Sequence, residues 1–161
     1  DAGLPARQHD GVSDLAPLGQ DLDQLVGLAV GPRLSAWATG EEYLLEVTGF
    51  DPHDPFRGAY AQLDYPGLPS GRRVPDGTAY LPLQRDGEVW VARRVLTERP
   101  DDGPYLACEG DGWDLHCGIE SWFAHDEEAL AVEDALRSTT GVAVIKVDSR
   151  GHAALVDLRL P

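Results

Sequence analysis

The sequence predicts a mainly β protein: a single antiparallel barrel-like or sandwich domain with one C-terminal helix and an N-terminal helical segment. Three observations lead there. Tyr43, Leu45 and Val47 alternate with Leu44, Glu46 and Thr48, the pattern of a strand buried mainly on one face. Asp86-Gly87, between two strand-like runs, is the strongest short hairpin signal in the chain. Clear helical spacing under a capping carboxylate is confined to Asp126 to Ser138. At 161 residues the chain holds one domain with a core, of roughly seven to nine strands, and a short appendage.

Residues 1–14 are polar and broken by Gly3, Pro5 and Gly11, as in a disordered tail. Residues 15–38 form the N-terminal segment. In it Leu18, Leu22, Leu25, Val26 and Ala29 recur at helical spacing, opposite Gln20, Asp21, Asp23 and Gln24. Its apolar run is far short of the ~20 residues a bilayer requires, so as it stands it does not span one. Gly31-Pro32 is expected to end this helix, and Leu34 to Trp37 to be a short connector. A chain that starts at Asp1 and holds no Met reads as processed, trimmed or engineered.

The domain proper is placed at 39–161. After the Tyr43 strand comes a loop dense in punctuation, Asp51 to Gly58, and then a strand from Tyr60 to Tyr65. Each Pro of the loop pushes the residue before it into extended geometry, so Asp51 and Asp54 sit extended beside Arg57. Their carboxylates are placed to bond backbone N–H groups or the Arg57 guanidinium. Tyr60 has the opposite parity to Leu63 and Tyr65, which calls for two covered faces or a bulge.

Pro66 to Gly77 is a loop. A type I′ turn at Asp86-Gly87 would pair Leu83 with Trp90 and Leu81 with Ala92, and Pro82 places the first strand at an edge. Tyr105 to Phe123 reads as a second hairpin. Asp126 caps the helix that follows, Ala129, Val132 and Leu136 share its packing face, and Gly141 stops it. Val142 to Asp148 and His152 to Leu160 close the chain as a hairpin around Ser149-Arg150-Gly151.

The run Asp51-Pro-His-Asp-Pro-Phe-Arg-Gly58 followed by Ala59-Tyr60-Ala-Gln-Leu63-Asp-Tyr65 resembles the signature of the GDYXXLXY family of bacterial membrane-anchored proteins. Gly58, Tyr60, Leu63 and Tyr65 fall on its G, Y, L and Y, and Ala59 stands where the family has Asp. Gly118-Ile-Glu-Ser-Trp-Phe123 resembles a second block of the same family. The resemblance implies a membrane-associated setting outside the cytoplasm, with residues 15–38 at the position of the anchor. It implies no catalytic activity.

Cys108 and Cys117 flank a glycine-rich turn. In a reducing cytosol they would be two buried small hydrophobes; as a disulfide they imply an oxidising compartment, and the turn between them favours the disulfide. If they oppose each other directly, the turn is centred between Gly112 and Trp113. A tight turn at Asp111-Gly112 would instead set Cys108 against Leu115.

The chain carries 28 acidic and 13 basic residues, a net charge of −15, and that field repels nucleic-acid phosphates and anionic headgroups. No metal or other cofactor is expected, since the histidines have no metal-ligand spacing and the cysteines no Cys-x-x-Cys. Gly-x-Ser-x-Gly is absent, and Asp114, His116 and Glu120 form a trio suited to acid–base work or to a solvated sheet face. Trp90, Trp113 and Trp122 read as packing residues. The function expected is that of a non-enzymatic envelope interaction module, binding an unknown envelope partner through Asp51 to Arg57. The alternative is a hydrolase-like or metal-dependent enzyme using Asp51, His53 and Asp54.

Overall fold

In the computed structural model the described residues are 31–49, 60–71 and 73–161. The chain divides at Gly31/Pro32 into two units, and the architecture below is that of the second, Pro32–Pro161. The tail, the Leu18 to Val30 helix and the Asp51 to Gly58 loop predicted from the sequence lie outside the described residues.

A helix over 31–39 (α1) leads into β1 (Glu41–Gly49). This corrects one expectation, for Leu34 to Trp37 is helix and no connector. No Gly or Pro follows Pro32 before Gly40 to break the helix. The Gly40 N–H then closes the last turn on the Ala36 carbonyl at 2.9 Å.

β1 takes its neighbours from distant parts of the chain. On one side lies β2 (Tyr60–Asp64), followed by β8 (Ser121–Phe123); on the other lies β9 (Gly141–Val147), followed by β10 (Ala153–Arg159). All four pairings are antiparallel. Tyr43, Leu45 and Val47 face the core as their alternation predicts. The register of β9 and β10 shifts between Leu155 and Asp157, the extra residue of a bulge.

A second sheet is built from β3 (Asp76–Pro82), β6 (Tyr105–Asp111) and β7 (Leu115–His116), with β3 at its edge as Pro82 requires. A short ribbon pairs β4 (Gln84–Asp86) with β5 (Val89–Val91). The strands wrap into a nearly closed barrel-like arrangement, mainly β as the sequence predicts. Leu81 and Leu106 from the second sheet meet Leu45, Leu63 and Ile145 from the first in one core.

Gly151 joins the two sheets. It lies at φ +82°, a conformation costly for any residue with a Cβ, and its carbonyl accepts the Ala107 N–H of β6 at 2.8 Å. A Cβ here would run into the Tyr105 ring.

Further expectations change. The ribbon turn is centred on Gly87-Glu88, with Arg85 opposite Trp90. Only Gly87 has positive φ, +66°, so the turn has the glycine-first pattern of type II′ and not the I′ form. Carried back one step, this register sets Leu83 beside Ala92, and both are buried. The hairpin expected over Tyr105 to Phe123 ends at Cys117; the chain then crosses to the first sheet and pairs with β2 as β8.

The helix α2 (Asp126–Ser138) has the predicted bounds and the predicted face of Ala129, Val132 and Leu136, but its N-cap is His125 and not Asp126. Its C-cap is Thr139, and Gly141 opens β9. Ten strands are present among the described residues where seven to nine were expected, because the runs through Pro82 and through Gly118 each break in two.

Candidate functional site

The Tyr60 to Tyr65 strand is where the sequence concentrates its aromatic signature, and β2 turns its odd-numbered residues inward. Ala61, Leu63 and Tyr65 are buried, while Gln62 and Asp64 between them are half-buried. β2 pairs with β8 without a register shift over Tyr60 to Gln62. The backbone of Tyr60 pairs with that of Phe123.

Tyr65 ends the strand in an internal contact. Its phenol donates a 2.6 Å hydrogen bond to the Ile119 carbonyl. Burial, and next the charge of Glu120, push the Tyr65 phenol far above its ordinary value, so it stays a donor. Glu120 folds back over the turn after the disulfide, and its carboxylate accepts N–H bonds from Cys117 and from Gly118, the latter at 3.0 Å. The Glu120 carbonyl accepts the Leu63 N–H at 2.9 Å. The described part of the first block, Tyr60 to Tyr65, and the second block, Gly118 to Phe123, therefore meet across one seam.

Cys108 and Cys117 are bridged, with their Cα atoms 4.2 Å apart, the close approach of a non-hydrogen-bonded antiparallel pair. Glu109 lies opposite His116 and Gly110 opposite Leu115, which centres the turn between Gly112 and Trp113, the directly opposed alternative. Asp111 holds that turn: one carboxylate oxygen accepts the Trp113 N–H at 3.0 Å and the Asp114 N–H at 2.8 Å. These bonds, Asp114's first and then Trp113's and that of His116, lower the Asp111 carboxyl to about 2.

Asp114, His116 and Glu120 line a common cleft, but His116 and Glu120 are each engaged with other groups. His116 Nε2 lies 3.4 Å from Asp111, and Glu120 is committed to backbone N–H groups. Trp113 is 72% exposed and corrects the reading of it as a packing residue; Trp90 and Trp122 pack against the core as expected.

Beside the seam lies a cleft of about 280 Å³. Leu63, Leu81 and Ile119 line its buried side, and Asp64, Asp114 and Glu120 bring carboxylates to it. Trp113 also lines it. A larger depression of about 580 Å³ shares the wall of Leu68, Pro69 and Ser70; there Arg93 is paired with Asp86 at 2.8 Å.

A family model described as GDYXXLXY protein matches residues 24–158, most of the chain and both blocks of the seam. The chain belongs to the GDYXXLXY family. No curated protein and no solved structure matches it. Of the GDYXXLXY positions, Leu63 and Tyr65 build the core side of the seam, while Gly58 and the loop residues Asp51, His53, Asp54 and Arg57 lie outside the described residues.

A second polar cluster escaped sequence reasoning. The Asp148 side chain, 3% exposed, accepts the Ser35 hydroxyl at 2.8 Å and the N–H groups of Arg150 and His152 at 2.8 and 3.0 Å, and lies 3.1 Å from His152 Nδ1. Burial alone would raise its carboxyl, but the Ser35 hydroxyl, the two N–H groups and the imidazole hold it below its ordinary value. The Asp-Ser-Arg-Gly turn carried a signal for part of this, since aspartate habitually bonds the N–H two residues on; Ser35 carried none. Among the described residues no group of three His, Cys, Asp or Glu side chains is placed to hold a metal, and no helix is long and apolar enough to cross a membrane.

Proposed function

We propose that this GDYXXLXY chain is a non-enzymatic interaction module that works outside the reducing cytoplasm, on a partner in the cell envelope. The observation that carries the reading is how the signature's polar groups are spent. The Tyr65 phenol and the Glu120 carboxylate satisfy backbone groups of the seam. Chemistry asks for groups held ready for substrate, whereas these groups fix a surface. The Cys108–Cys117 bridge supports an oxidising compartment.

The segment 50–59 joins β1 to β2, and β2 also lines the cleft, so the recognition role of Asp51, Asp54 and Arg57 falls next to the seam in the chain. A rigid sheet presenting a variable connection is the usual construction of a binding surface.

Photo-crosslinking in cells tests this, with a crosslinking residue in place of His53. A discrete adduct with an envelope protein is expected, lost in R57A while the melting temperature holds. Adducts confined to cytoplasmic proteins, or an adduct indifferent to R57A, D51N and D54N, would sink the proposal.

A further inference from the structure

The cleft beside the seam has a size and a charge pattern that name its occupant. At about 280 Å³ it falls just below the range of pockets that enclose a whole small molecule, and is suited to a side chain or two of a larger partner. Its buried side is apolar, from Leu63, Leu81 and Ile119. Its acidic residues are Asp64, Asp114 and Glu120, beside the polar Gln62, Ser70 and His116, and no described Lys or Arg lines it. The neighbouring depression differs on this point, for Arg93 there offsets Asp86.

Lysine and arginine have the matching form: an aliphatic stem that covers apolar surface and a cationic head that seeks carboxylates. Trp113, 72% exposed and lining the same cleft, offers a ring face to such a cation. The net charge of −15 draws a basic segment toward the molecule and repels an acidic one.

We infer that this cleft is the docking site for a basic segment of a protein partner, with one Arg or Lys stem laid on Leu63 and Ile119 and its charge between Asp64 and Asp114. This rests on the reading of the chain as an interaction module and supplies the chemistry of its partner. Asp111 is part of the device, because its carboxylate fixes the turn that carries Trp113 and Asp114.

The test titrates the whole domain with acetyl-Gly-Arg-Leu-Arg-Gly-amide, its Glu-for-Arg counterpart and spermidine, followed by calorimetry and amide NMR shifts. The Arg peptide should bind, shift the amides of Leu63, Trp113 and Leu115, and weaken as salt rises. The double variant D64N/D114N should weaken it by about tenfold or more, as loss of facing charges does, and D86N should leave it unchanged. W113K, a change at an exposed position, should weaken it as well and serves if the double variant fails to fold.

No binding of the Arg peptide, equal binding of the Glu peptide, or equal loss in D86N would overturn the inference. Spermidine binding as tightly as the peptide would overturn the protein-segment occupant. Any of these results with the His53 crosslink intact would leave the module reading standing.

Discussion

Tyr65 and Ile119 are tied by a 2.6 Å hydrogen bond across 54 positions of sequence, from the phenol at the end of one family block to the carbonyl within the other. The bond is buried, so its worth lies in what its loss would leave behind: an unsatisfied carbonyl in the core.

Y65F should therefore lower stability by about 1–3 kcal/mol with the fold intact. Denaturant unfolding would show the midpoint moved and the slope kept. An unchanged midpoint would mean the Ile119 carbonyl is satisfied by water, and the seam is not held at this point.

The disulfide closes a short loop, and a chain-entropy account gives about 2–3 kcal/mol for a loop of this size. C108A/C117A should lose about that amount and should still pair β6 with β7, because the ladder there includes Glu109–His116 and Gly110–Leu115. Mass spectrometry with and without reductant shows the bridge itself. A variant as stable as the parent would remove the bridge from the list of structural supports.

Ser35 and Asp148 link α1 to the turn between β9 and β10 at 2.8 Å. The Asp148 carboxyl lies below its ordinary value in the folded state. A depressed carboxylate stabilises the fold above its unfolded value, and the contribution is lost as pH falls through the folded one. D148N should accordingly cost about 1–3 kcal/mol at neutral pH, and the gap to the parent should close in acid. S35A should weaken protection of the α1 amides in hydrogen exchange more than that of β9. A constant gap down to the acid limit would show that the loss is one of packing and not of ionisation.

Asp111 carries a sharper mark, a carboxyl lowered to about 2 by the Asp114 and Trp113 N–H groups and by His116. Its side chain is solvent-exposed, so the readout is titration. Carboxyl NMR should place Asp111 well below the other exposed aspartates, with its contribution to the turn present above the usual carboxylate range and fading as pH approaches 2. D111A should raise the exchange rates of the Trp113 and Asp114 amides. An ordinary titration would mean that these turn bonds do not persist in solution.

Much of this architecture was legible because it obeys local rules. The helix from Asp126 to Ser138 announces itself by spacing, and the last hairpin by two alternating runs around Ser149-Arg150-Gly151. The cysteine register followed from geometry once the bridge was assumed. What escaped depended on partners far away. Nothing local says that Cys117 is where the chain leaves one sheet for another, since β8 is fixed by pairing with β2. The Asp86-Gly87 signal misled because the core takes Leu83 and Ala92 together, and only the register one residue later allows that. The helix through Leu34 to Trp37 was hidden because Gly31-Pro32 reads locally as a stop. At the seam, the inward face of Leu63 and Tyr65 could be read, but the backbone role of Glu120 could not, because it depends on the turn at Gly118.

The position of β1 between β2 and β9 has a consequence for how the protein comes into being. Its hydrogen-bonding partners on one side are residues Gly141–Val147, about a hundred positions further along the chain. During synthesis β1 emerges long before that ladder exists, and its free edge is the kind that pairs with the wrong neighbour. The large sheet closes only when β9 pairs with β1, and arrangements dominated by such distant pairings fold slowly.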